Sequence, residues 1–243
     1  MKALSLKVKA PQVSFRHPLD LNYQRTLPLP PPTTMVGLAG AALGIADFQI
    51  WNDEYWQPLR DIKVAVLLDK LPGKAKDMMT VLKIKGGRIE QRSPYFRELL
   101  FNVEYTLIYA GDDNLIKKLI GSFNDPVYPL SLGREDELIE IVSIEEIELI
   151  KGEPVFRGTA IPGDIREMEI ELPAFKDGRS PIKLEPAVVE NVPLKFKVEK
   201  KGYRIPSQKA TVTFLPYLLE VKIKGFNREV FNLDGRNFTW MNC

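Results

Sequence analysis

Proton transfer near neutral pH has one conventional candidate in this chain, His17, the only histidine among 243 residues. To cleave a phosphodiester by general acid–base chemistry it needs a second group at the same phosphate. Arg16, Tyr23 and Lys63 are of suitable type. The plainer alternative is a loop histidine that bonds backbone or touches a nucleotide. Ser/His/Asp and Cys/His nucleophile arrangements both lack parts. One cysteine, Cys243, cannot form a disulfide within the chain or complete a zinc site. Glu135, Asp136 and Glu137 could bind a metal, but read more simply as exposed acids at a local helix start. Gly37, Gly40 and Gly44 have the spacing of neither a P-loop nor a dinucleotide fingerprint. No cofactor and no metal is expected.

Anion binding has better material. Pro30-Pro31-Pro32 precedes Thr33-Thr34 and an apolar run rich in glycine and alanine. Proline cannot sit inside a helix, whereas a threonine hydroxyl can accept from the first free backbone N–H groups. A helix starting there, at about Thr34 to Ala46, points unpaired N–H groups outward and favours phosphate. Arg16, His17 and Arg25 are near in sequence. A second segment, Pro126 to Arg134, has proline and glycine to fix an irregular loop, Tyr128 to stack, and Arg134 to clamp a phosphate or carboxylate.

These residues must be held by a scaffold whose pattern is legible. Leu4, Leu6 and Val8 alternate with polar residues over Ala3 to Lys9, the period of a half-buried strand. Apolar runs predict further strands at Ile62–Leu68, Arg97–Tyr109 and about Ile139–Ile150. Asp112 and Asp113 open an amphipathic helix with Leu115, Ile116, Leu119 and Ile120 on its buried stripe. The order strand, helix, strand, strand, helix, strand predicts an α+β, ferredoxin-like βαββαβ domain over 1–150, the plan also used by RNA-recognition modules. Residues 151–243 turn proline-rich, with short strands near Val155–Ile161, Leu194–Val198, Ala210–Phe214 and Leu218–Ile223. They read as a smaller β-rich lobe. Glycines three and four apart on the first helix imply close approach of another backbone, from the sheet or from a ligand.

Net charge is only +2, but residues 70–97 carry +6. Met79–Lys85, the Gly86-Gly87 turn and Arg88–Arg92 form a basic β-hairpin inserted between core strands. Pro94-Tyr95-Phe96 follows with rings for stacking. Read without other context, such a hairpin is a solvated edge kept from aggregating by its lysines. Residues 135–171 are acidic and read as a solvated face or a surface for a basic partner. The Cys and His usage, the absence of an N-terminal signal pattern and the lack of an apolar run near the roughly 20 residues a bilayer needs predict a cytoplasmic, soluble protein.

Phe15-Arg16, Pro30 to Thr34, Gly37 and Gly44, with the loop Tyr128-Pro129-Leu130-Ser131-Leu132-Gly133-Arg134, resemble the two motifs of the CRISPR-associated protein 5 family. This family lies within the RAMP superfamily of crRNA-guided type I surveillance (Cascade) complexes. Leu130 before the serine and Thr34 in place of the usual serine depart from the pattern, and the resemblance covers roughly residues 1–150. It implies a ferredoxin-like subunit that holds the repeat-derived 5′ handle of crRNA and caps the backbone filament in antiviral defence. Its partners would be crRNA, the backbone subunit, the large subunit and the repeat-processing nuclease. The family's hairpin, or thumb, reaches a neighbouring subunit and wedges against RNA, and the segment 70–97 falls at its place.

Some members cut pre-crRNA with a Tyr/Lys/His group; no histidine follows the thumb here, which favours a non-catalytic binding subunit. A metal-independent endoribonuclease is the alternative, and a protein scaffold a third. The expected RNA-binding set is Arg16, His17, Arg25, Thr33, Thr34, Lys83, Lys85, Arg88, Arg92, Tyr128 and Arg134, with no catalytic residue.

Overall fold

Alternation of apolar and polar residues sets the central sheet. In the computed structural model, which describes residues 2–21, 23–172, 185–199 and 202–242, Leu4, Leu6, Val8 and Ala10 of strand β1 (Lys2–Val13) all enter the main core. A two-residue strand β2 (Tyr23–Gln24) follows, then helices α1 (Pro32–Leu43), α2 (Asp47–Asn52) and α3 (Gln57–Arg60). Next come β3 (Lys63–Leu68), β4 (Gly73–Lys85), β5 (Arg88–Ala110), α4 (Asp113–Asn124) and β6 (Glu140–Glu148). β5 pairs antiparallel with β3 and β1, and β1 pairs antiparallel with β6. The central order is therefore β3-β5-β1-β6. α1 and α4 bury Met35, Val36, Leu38, Leu115, Ile116 and Leu119 in the core shared with the sheet. The α4 start is as expected: the Asp112 carboxylate accepts from the N–H groups of Asn114 and Leu115.

One expectation is corrected and a second is refined. The first helix begins at Pro32, and no threonine hydroxyl caps it. Pro31 holds the cap position, and its carbonyl accepts from Thr34 N–H at 3.0 Å and Met35 N–H at 3.3 Å. Proline fits the first helical position because its fixed φ suits the helix and the N–H it lacks would go unused there. The helix ends at Gly44, whose φ of 73° is left-handed. The chain then turns into α2 instead of continuing to Ala46.

The basic hairpin does fall between core strands in chain order, but it is continuous with the second of them. β5 is 23 residues long, and its first half pairs β4 while its second half lies between β1 and β3. The arm thus grows out of a core strand. At its tip Lys85 pairs Arg88 across Gly86-Gly87, with φ of 56° and 74°, the positive pair that a two-residue hairpin turn requires. Thirteen β4 residues at about 3.3 Å each give an arm of about 40 Å.

After residue 150 come β7 (Ile150–Lys151), β8 (Val155–Phe156), β9 (Ala160–Pro162), β10 (Ile170–Glu171), β11 (Val188–Val198), β12 (Arg204–Phe214), β13 (Val221–Ile223), β14 (Phe231–Leu233) and β15 (Arg236–Phe238). They form the small sheets β10-β13-β8, β11-β12-β9 and β15-β14-β7. The pair β14–β15 was not anticipated. Val192, Val198, Val212 and Phe214 join the same core as β1 and α1. Phe238 and Trp240 bury Ala3, Ala65, Leu67, Ile108 and Ala110 on the opposite face of the central sheet. An RNA-recognition module reads bases on an open sheet face. Here that part of the sheet is closed by an aromatic cluster with ring separations of 5.4–5.7 Å. Among the described residues no helix is long and apolar enough to cross a membrane. Cys243 lies outside the described residues.

Candidate functional site

Where β1 leaves the sheet, Phe15 stays buried against Tyr105, 6.2 Å between ring centres, and its carbonyl accepts from Leu27 N–H at 2.7 Å. This returns the chain over Arg16 and Thr26 and turns Arg16 out to solvent. The proline segment is fixed from below by two phenols of β5. Tyr105 donates to the Pro28 carbonyl and Tyr109 to that of Met35, each at 3.2 Å. Burial pushes both phenols far above the ordinary tyrosine value, so they stay protonated and able to donate.

The loop after α4 is fastened at two points. Val127 N–H donates to the Ala42 carbonyl at 3.1 Å, and a Cβ on Gly44 would lie 2.8 Å from the Val127 methyl. Glu137 makes the second fastening. It is 0% exposed, and its carboxylate accepts from Ser14 N–H at 2.7 Å, Ser14 hydroxyl at 2.6 Å and Arg134 N–H at 2.9 Å. The sequence reading of Glu137 as an exposed acid or a metal ligand is corrected: three protein donors occupy its oxygens. A buried carboxylate needs such donors to offset lost hydration. Gly133, at φ 114°, lies so close beneath that an added Cβ would strike both Glu137 Oε2 and the Ser14 carbonyl.

These fastenings enclose a cleft of about 780 Å³. One wall consists of Ser14, Arg16, Thr33, Thr34, Gly37, Ser131, Gly133 and Arg134. Four expected residues thus converge from three separate segments of chain. Arg16 donates through Nε to the Asp20 carbonyl at 3.1 Å, and Arg134 donates through Nη2 to Gln24 Oε1. Among the described residues neither forms an ion pair with a carboxylate, so both guanidiniums are uncompensated and have spare donors. Gly37 carries no heavy atom within 4 Å of its would-be Cβ, leaving the helix surface open to the cleft. Gly40 and Gly44 are approached most closely by the Ile50 and Val127 side chains.

The remaining expected residues lie elsewhere. His17 is 6% exposed, lines no part of the cleft, and its Nδ1 is 2.7 Å from Glu190 Oε2 on β11. Arg25 grips Asp20 through Nη2 at 2.8 Å and Nε at 3.2 Å. That hydrogen bonding holds the Asp20 carboxyl below its usual range. Tyr128 is exposed beside the cleft loop and is not in its lining. Lys83, Lys85, Arg88 and Arg92 sit on the arm; Lys83 and Lys85 share Glu90 at 3.1 and 3.8 Å, while Arg88 and Arg92 have no carboxylate partner among the described residues. Gln24 joins the two regions, because it lines the cleft, holds Arg134 and pairs with Arg97 at the root of the arm.

Sequence reasoning missed Glu137, Gln24 and the opposite wall of the cleft, which comes from β11 and β12. A loop glycine four residues before an acid was the available signal for the first. The His17–Glu190 contact pins that opposite wall. His17→Ala is expected to cost about 1.5–3 kcal/mol, the worth of a charge-assisted hydrogen bond. A thermal melt reads this as a fall of about 3–12 °C at roughly 2–4 °C per kcal/mol, and an unchanged melt would exclude the pin.

The family model described as CRISPR-associated protein (Cas_Cas5) matches residues 3–204. No curated protein matches the chain. Among solved structures, a chain of a "CRISPR RNA-guided surveillance complex" is 16% identical with a TM-score of 0.53, over 98% of this chain and 90% of that one. A "CRISPR protein from Archaeoglobus fulgidus" is 12% identical with a TM-score of 0.52, over 99% and 100%. A structure titled "Crystal structure of Cas protein" is 23% identical over 56% of this chain and 58% of its own, with a TM-score of 0.40. The two full-length likenesses share a mixed α+β fold dominated by sheet with few helices. With the family model spanning most of its length, the chain belongs to the CRISPR-associated protein (Cas_Cas5) family.

Proposed function

We propose that the chain is a non-catalytic crRNA-binding subunit of a type I Cascade complex in the cytoplasm, holding the 5′ handle in the cleft and capping the backbone filament. The observation that carries this is the convergence of Arg16 and Arg134, both without a carboxylate partner among the described residues, on a cleft that Thr33 and Thr34 also line. Uncompensated guanidiniums beside hydroxyl donors are suited to phosphate oxygens. The order β3-β5-β1-β6 with two helices on one face is read as the ferredoxin-like arrangement. The division into 1–150 and 151–243 is read as one between sheet with arm and the elements that cover it. His17 and Arg25 enter as supports of the walls, and Tyr128 as a contact at the rim.

On this reading RNA leaves the cleft past Gln24 and runs towards the arm, where Lys83, Lys85, Arg88 and Arg92 meet phosphates. The backbone subunit, large subunit and repeat nuclease are the proposed protein partners. Fluorescence anisotropy with repeat-derived RNA tests the cleft. Arg16→Ala with Arg134→Ala is expected to weaken binding roughly tenfold or more and to lower the salt slope by about 1.4, at about 0.7 per phosphate contact on a single strand. Unchanged affinity and slope would sink the reading. Cleavage of repeat RNA in EDTA, abolished by His17→Ala, would instead establish the endoribonuclease.

A further inference from the structure

The cleft has a second wall, and its chemistry differs from the first. Val192, Pro193 and Phe196 of β11, with Arg204 and Pro206 of β12, line the same cleft as Arg16 and Arg134. Two prolines and a valine bring no charge and little freedom to move. Phe196 is half-buried and held edge-on by Trp51, with ring centres 5.3 Å apart and planes at 87°. The Arg204 guanidinium lies over the Phe196 ring, 6.0 Å from its centre, and so covers one face of it. Asp47 fixes both neighbours at once: its Oδ2 accepts from Arg204 Nε at 2.8 Å and its Oδ1 from Trp51 Nε1 at 2.9 Å.

This pair is built into the fold. Asn52 exchanges two hydrogen bonds with the Val198 backbone, at 2.6 and 3.0 Å, and Lys195 pairs with Asp61. With the His17–Glu190 contact, β11 is fastened near both ends. The charge of Arg204 is offset by Asp47, unlike that of Arg16 and Arg134. A phosphate therefore gains more on the first wall. A flat, rigid, charge-balanced aromatic and guanidinium surface is what an unstacked base seeks.

We infer that the Arg204 guanidinium, backed by the Phe196 ring beneath it, forms a stacking platform for one nucleobase of the bound RNA, while Arg16 and Arg134 hold its backbone. This rests on the cleft being the RNA site. It gives the elements after residue 150 a direct part in binding and makes the β11–β12 wall a determinant of which nucleotide is accepted.

The test uses the full chain, repeat-derived single-stranded RNA, and the same RNA with single abasic nucleotides, which keep every phosphate and lose one base. Phe196→Leu retains apolar fill against the core, and Arg204→Gln retains hydrogen bonding at Asp47. Each variant should bind intact RNA roughly tenfold more weakly, with an unchanged salt slope. One abasic position should cost the wild type a similar factor and cost Phe196→Leu nothing further. Unaltered affinity in both variants, or equal losses for intact and abasic RNA, would overturn the platform. Should Arg16→Ala with Arg134→Ala bind normally, the cleft reading itself falls. If that variant loses binding while the Phe196 and Arg204 variants do not, only the platform falls.

Discussion

Gly133→Ala will lower the thermal unfolding midpoint by about 6–20 °C and, if the cleft is the proposed RNA site, sharply reduce RNA binding by what remains folded. The new Cβ has no room, because Glu137 Oε2 and the Ser14 carbonyl already occupy its place, and φ of 114° is strained for any side chain. Making room pushes Glu137 away from Ser14 and Arg134, leaving a wholly buried carboxylate short of donors. Removing the partners of a buried charge costs about 3–5 kcal/mol, and roughly 2–4 °C per kcal/mol applies at this chain length. Glu137→Gln is a milder probe of the same joint. It keeps the shape but offers one acceptor oxygen to three donors, at a cost of about 1–3 kcal/mol. A Gly133→Ala protein with the wild-type melt would show that the loop is free to shift and that the joint is not rigid.

The second large effect concerns the arm and separates its two chemistries. Along β4, alternate residues share a face, and their partners on β5 lie beside them. Met78 pairs with Phe96, Leu82 with Arg92, and Ile84 with Ile89. All three β4 members and both apolar partners are exposed, Ile84 by 65%. A stripe of this kind in water marks a protein contact, whereas the lysines and arginines around it suit RNA.

Ile84→Asp with Ile89→Asp is expected to weaken association with the neighbouring subunit by about 100-fold or more, the scale of a central hot spot. The melt should move little, because exposed substitutions stay within about 0.5 kcal/mol. Co-purification of the co-expressed subunits measures the first, and calorimetry the second. Arg88→Ala with Arg92→Ala should instead leave association intact and lower the RNA salt slope by about 1.4. Lys83→Ala with Lys85→Ala should do less, since Glu90 already offsets about half of their combined charge. Intact association in the aspartate variant would remove the arm from the interface.

Local pattern carried much of the scaffold. The αβ order, the Asp112 cap, the Gly86-Gly87 turn and the strand at 63–68 all follow from short-range preferences that packing does not oppose. The misplacements have equally local causes. Consecutive prolines moved the start of α1, and one strand proved long enough to serve both arm and sheet. Burial is the quantity that polarity alone misjudged. Glu137 looks like its neighbours Glu135 and Asp136, yet Ser14, more than a hundred residues away, draws it into the interior.

For the stretch from Phe15 to Gly44 and the loop up to Arg134, the amino-acid sequence by itself determined the cations, hydroxyls and turn residues suited to an anion, along with the family to which the chain belongs. Only the tertiary structure decided that Arg16, Thr33, Thr34 and Arg134 share one cleft, that His17 is a strut, and that Phe196 and Arg204 close the far side. The physical reason is range. Turns, caps and alternation are settled within a few residues, whereas the wall opposite Arg16 and its pin Glu190 come from more than 170 residues further along the chain, where no motif marks them.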